Sequence, residues 1–163
     1  MNAYLVEGRG FPLEQLSQLT FSQEYYKNQD HNLGSITLRF HITDEEGNAG
    51  WCQRILDDHG VLQKTTFKYG WKSENHAWTT PNTNYIESKE IWITEGIFDT
   101  IALWLSGITS FSALSCNNYP AIFLNTIARK CAEAGIPQPK IIWAFDNVPV
   151  FVSISAIMPS PLS

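Results

Sequence analysis

The chain has 163 residues, 44% hydrophobic and 17% charged, enough to bury one compact core or two small lobes that share one. A formal net charge of -5 excludes a protein that wraps nucleic acid over its whole surface, because phosphate neutralisation needs clustered Lys and Arg; a local basic strip is still compatible. Cys52, Cys116 and Cys131 are odd in number and share no CxxC pair, which points to neither a zinc ribbon nor a disulfide framework and predicts reduced, buried thiols.

Residues 12–20 open with Pro12 and space Leu13, Leu16 and Leu19 three apart, which predicts a short helix with one buried face. A polar stretch runs from Ser22 to Ser35. Ile36, Leu38 and Phe40 then alternate with Thr37, Arg39 and His41, and with the turn residues DEEGN (44–48) and the run from Ala49 to Leu56 they predict a hairpin. The first half is therefore expected to be β-rich. From Glu90 the pattern changes: a buried strand at 91–94 (IWIT), a helix at 98–107 closed by Gly107, a strand at 108–115, a helix at 119–135 between Pro120 and Gly135, and a strand at 140–145. Strand, helix, strand, helix, strand at this spacing predicts a mainly parallel sheet with helical crossovers. The N-terminus shows no leader pattern and no apolar run approaches the roughly 18 residues of a membrane span, so the expected setting is cytoplasmic, without a membrane.

In open α/β sheets, ligands bind beyond the carboxyl ends of the strands, so the residues that follow each strand carry the information. Glu95 follows IWIT and Asp146 follows IIWAF, while Asp99 lies four residues after Glu95 in the first turn of a helix. If the two strands are neighbours, three carboxylates share one edge. Such a cluster is costly without a cation, and oxygen-only ligands suit Mg²⁺ or Mn²⁺ and phosphoryl transfer. Gly96 allows close backbone approach beside Glu95. The competing account makes Glu95 and Asp99 simple helix N-terminal acids, favoured there by the helix dipole.

ITEGIFDTIAL (93–103) closely resembles the EGxxD-x-x-AL signature of TOPRIM domains, and WAFDN (143–147) resembles the start of their second motif, a strand ending in Asp-x-Asp. RGFPLEQL (9–16), ITDEEGNAGWCQRIL (42–56) and FKYG (67–70) resemble the N-terminal lobe of DnaG-type primase cores, with Gly50, Trp51, Arg54, Lys68 and Tyr69 matching in order. The resemblance implies a Rossmann-like, mainly parallel TOPRIM sheet flanked by helices at 89–147, preceded at 1–88 by a small β-rich α+β lobe. It further implies synthesis of RNA primers on a single-stranded DNA template from nucleoside triphosphates, as in DNA replication, including that of a mobile element. Glu95 and Asp146 would bind the metal, with Glu95 as ligand or general base and Asp99 as ligand or support. The chain departs from the family at Val148, where the second Asp of the motif belongs, and its tail at 148–163 resembles no TOPRIM element. A nuclease using the same acids, or a non-catalytic nucleic-acid-binding remnant, are the alternative readings. Neither the Cys-rich zinc module nor the helicase region of many primases is expected here, which makes a replicative helicase a candidate partner.

Arg54, Lys64, Lys68 and Lys72 accompany Phe67, Tyr69 and Trp71, a composition suited to holding a nucleic-acid backbone and stacking a base; the bland alternative is a solvated hairpin with its aromatics in the core. His31, His41, His59 and His76 lack ligand spacing, and Trp92, Trp104 and Trp143 are expected in the core.

Overall fold

A computed structural model describes residues 4–28, 30, 32–47, 50–57, 60 and 64–146; the tail at 148–163 with Val148, and also Asn147, His31 and His59, lie outside the described residues. Behind Pro12 (φ -64°, ψ 127°) the chain enters helix α1, Leu13–Leu16. Leu16 and Leu19 enter the core, but Leu13 is 54% exposed, because the helix ends at Leu16 and never builds the second turn that a continuous apolar stripe needs.

The polar stretch from Ser22 to Ser35 is mostly strand. Strand β1, Phe21–Asn28, pairs antiparallel with β2, Leu33–Ile42, in a register running from Phe21↔Phe40 to Asn28↔Leu33. β1 is the edge of its sheet, where polar side chains face water freely, so it lacks the apolar alternation that marks a half-buried strand. The expected hairpin then forms: β3, Gly50–Ile55, returns along β2, and β4, Thr65–Phe67, pairs with β3. This first sheet has the order β1-β2-β3-β4 and is antiparallel throughout.

The second sheet contains β5 (Trp78–Thr79), β6 (Glu90–Thr94), β7 (Ser110–Ser112) and β8 (Lys140–Ala144), in the order β5-β7-β6-β8. β6 runs parallel to both β7 and β8, as the strand-helix alternation predicts, with α2 (Ile97–Leu105) and α3 (Ala121–Ala134) as the crossovers. The antiparallel strand β5 was not foreseen; two residues carry no readable period. Gly135 ends α3 with φ 66°, and the amide of Ile136 reaches back to the Cys131 carbonyl at 3.0 Å. The protein is thus a mixed α/β fold built on two sheets.

Leu38, Phe40, Ile42 and Cys52 of the first sheet pack with Ile97 and Ile101 of α2, while Ile91, Ile93 and Phe111 pack with Ile127 and Cys131 of α3. Helix α2 therefore lies between the sheets and α3 covers the far face. Trp104 and Trp143 are half-buried against these cores. Cys52 and Cys131 are buried as expected, but Cys116 is exposed, because it sits in the loop after β7 rather than on a strand.

Candidate active site

From β6 the chain crosses to one neighbour, β7, and then returns past β6 to the other, β8. The change of direction falls between β6 and β8, the topological switch point where open sheets leave a crevice beyond their carboxyl ends. Glu95 follows β6 directly, and Asp146 lies two residues past the end of β8. Asp99 is in the first turn of α2. All three line one cleft of about 350 Å³, which Cys52, Arg54, Thr65 and Phe67 of the first sheet close from the opposite side. Leu114 and Ser115, after β7, complete the wall.

The link between β6 and α2 is fixed by buried hydroxyls. On the α2-facing side of the second sheet the register groups Thr94 with Ser112 and Trp92 with Ser110, and Thr94, Ser110 and Ser112 are almost fully buried. The Thr94 and Thr100 hydroxyls meet each other and the Gly96 carbonyl, and Ser110 donates to the Thr100 carbonyl at 3.1 Å. Ser112 donates to the Glu95 carbonyl and accepts the Leu114 amide, which holds Leu114 at φ 70°. That left-handed conformation costs a residue bearing a Cβ about 1–2 kcal/mol. Gly96 answers to a specific neighbour: a Cβ there would stand 3.1 Å from Asp99 Oδ2. Gly96 is itself the N-cap of α2, without a side-chain capping bond.

Electrostatics set Asp99 apart from a solvent carboxylate. Partial withdrawal from water, then the neighbouring Asp146 charge, raise the Asp99 pKa above the usual aspartate value, and Arg9 pulls it partly back. Arg9 lies with its guanidinium 4.7 Å from the Phe98 ring centre and donates to the Tyr4 hydroxyl at 3.2 Å. Sequence reasoning passed over Arg9, although it opens the segment RGFPLEQL; nothing in its spacing ties it to Asp99. Across the cleft, Arg54 has a buried Nε with no hydrogen-bond partner among the described residues. Burial pushes the Cys52 thiol up to about 12, against the opposing pull of Arg54.

Of the basic and aromatic candidates, Arg54 faces the acids across the cleft. Lys64, Lys68, Tyr69 and Lys72 are exposed outside its lining, around β4 and the turn that follows it. Trp71 lies over Gly50, where no side chain would fit, and packs against Phe67 and His76 at ring distances of 6.1 and 5.1 Å. Phe67 and Trp71 thus turn inward, whereas Tyr69 is 100% exposed. Among the described residues, no three Asp, Glu, His or Cys side chains gather tightly enough to hold a metal ion by themselves. The cleft still offers an oxygen-only donor set opposite a cation, and a hard divalent ion that keeps its waters needs only one or two carboxylates plus substrate phosphates.

Against solved structures, the chain superposes on the crystal structure of the RNA polymerase domain of Mycobacterium tuberculosis primase DnaG with a TM-score of 0.50. The fold resembles a primase polymerase domain. Identity is 17%, and the match covers 88% of this chain and 48% of that one, so this chain spans about half the length of the mycobacterial domain. No family model and no curated protein matches the chain.

Proposed function

We propose that this chain is a primase-like, metal-dependent nucleotidyltransferase that makes RNA primers on single-stranded DNA, with a primase-core lobe at 1–88 and a TOPRIM domain at 89–147. The observation that carries this reading is the meeting of Glu95, Asp99 and Asp146 at the switch point of the second sheet, in one cleft with Arg54 on the opposite wall. Arg54 lines the cleft opposite the acids, where its guanidinium would meet a triphosphate oxygen in a charge-assisted contact of the strong kind. Glu95 and Asp146 would hold Mg²⁺ or Mn²⁺, and the bound ion supplies activation of the primer 3′-hydroxyl and neutralisation of the leaving pyrophosphate. Glu95 would act as a ligand or as the general base that takes the hydroxyl proton, and Asp99 as a ligand or a support from α2. Lys64, Lys68, Tyr69 and Lys72 form an outer rim for the template backbone and bases. Replication of DNA, with a replicative helicase as partner, is the process this activity serves, in the cytoplasm; no described helix is long and apolar enough to cross a membrane.

A second reading has its own observation: Val148 stands where the TOPRIM motif has its second Asp, which favours a non-catalytic nucleic-acid-binding module. Calorimetric titration with Mn²⁺, beside a Glu95→Gln variant, separates the two. Saturable binding lost in the variant, together with primer products from nucleoside triphosphates, supports the transferase. No metal binding in either protein, with template binding retained, leaves the binding module. Cleavage of DNA without added nucleotides would instead reveal a nuclease.

A further inference from the structure

The face of the first sheet that packs against α2 does not end where the core ends. Phe21, Leu38, Phe40, Ile42 and Cys52 on this face are covered, but farther along the same strands Tyr25 is 70% exposed and its cross-strand partner Ile36 48% exposed. An exposed aromatic beside an exposed aliphatic residue on one sheet face needs an explanation beyond scattered surface hydrophobics. The ring is also held: Tyr25 lies across Gly34, where any side chain would overlap its hydroxyl and ring.

Charge on this face is sorted. Alternation along β1 puts Lys27 beside Tyr25, and the register places Arg54 opposite Leu38, one step along β2 from Ile36. The strand positions of this face hold no Asp or Glu, in a chain whose formal net charge is -5. Strand spacing sets Tyr25 about 12 Å from Arg54, and Arg54 lines the cleft. Aromatic and cationic side chains without acids, leading into a carboxylate cleft, suit a polyanion with flat bases.

We propose that Tyr25, flanked by Ile36, is a stacking platform for a base of single-stranded DNA whose phosphates pass Lys27 and Arg54 on the way to the cleft. This rests on the primase-like reading above and adds the entry path of its template. Stacking on one aromatic ring is sequence-tolerant and accounts for roughly tenfold or more in affinity.

Fluorescence anisotropy of a labelled oligothymidylate with the full chain tests it. Tyr25→Ala should weaken binding about tenfold, Tyr25→Phe should stay near the original, and Gly34→Ala, which dislodges the ring, should follow Tyr25→Ala. Lys27→Ala should flatten the salt dependence by about one unit of slope, a change Tyr25→Ala does not produce. Unchanged affinity in Tyr25→Ala, with the original protein binding well, overturns the platform alone and leaves the patch to a protein partner. If the original chain fails to bind the oligonucleotide, the template reading itself falls and the platform with it.

Discussion

The hydroxyl of Ser112 donates to the carbonyl of Glu95 at 3.0 Å and accepts the amide of Leu114 at the same distance. One small side chain on β7 thus ties the residue that follows the central strand to the strained residue on the cleft wall. Ser112 is fully buried, so water cannot replace either bond.

Replacing it tests how far that tie supports the site. Ser112→Ala leaves the buried Leu114 amide unpaired and removes a partner of the part-buried Glu95 carbonyl, and should cost about 1–3 kcal/mol in urea unfolding. Ser106→Ala, which removes an exposed bond to the Ala102 carbonyl, should change stability far less. Equal losses in the two variants would mean that the Ser112 bonds contribute nothing special.

Packing and surface charge should separate cleanly. Ile93 is fully buried in the α3-facing core, so Ile93→Ala should destabilise by about 2–5 kcal/mol. Arg129 pairs with both Glu45, in the β2–β3 turn, and Glu133, one turn along α3, yet it is half exposed. Arg129→Ala should therefore change stability far less than Ile93→Ala, and the effect should shrink with added salt.

Asp99 should make stability depend on pH in a direction opposite to a salt-bridged aspartate. Its pKa is raised in the fold, chiefly by partial loss of water and then by Asp146, so the protonated form is the one the fold favours. Stability from this group is fully present below the ordinary aspartate value of 3.8 and is lost as pH rises through the higher folded value. Metal-free Asp99→Asn should melt above the original protein at neutral pH, with the gap closing on acidification. Parallel melting curves across that range would refute the assignment.

Thiol reactivity should be confined to one cysteine. Burial raises Cys52 to about 12 and Cys131 is buried, whereas Cys116 is exposed. A native chain at neutral pH should take up a single equivalent of alkylating reagent rapidly, at Cys116, and the other two only after unfolding. Mass mapping that finds Cys52 modified first would contradict the packed state of β3.

Much of the second half was legible because its strands and helices carry strong periods and clear stops. Gly107 and Gly135 end their helices where expected, and IWIT and KIIWA form neighbouring parallel strands, which is what brings Glu95 and Asp146 to one edge. Strand β1 was hidden because an edge strand is not obliged to alternate, and β5 because two residues are too few. The place of Arg54 opposite the acids depends on how one sheet packs over another, which no local pattern encodes. Arg9 reaches Asp99 by the same tertiary route. Leu13 and Cys116 misled for simpler reasons: one stands at the start of a helix a single turn long, the other in a loop.

Helix α2 rests on the second sheet through keyed hydroxyls at Thr94, Thr100 and Ser110, and Ser112 ties the Glu95 carbonyl just before it. Aliphatic contacts would let a helix settle into several nearly equal positions, but sliding this one breaks several short-range bonds together. The acid-bearing wall of the cleft is in effect an anvil. Accommodation of anything that enters must then come from the opposite wall, where Arg54, Thr65 and Phe67 ride on β3 and on β4, a three-residue strand at the rim of its sheet.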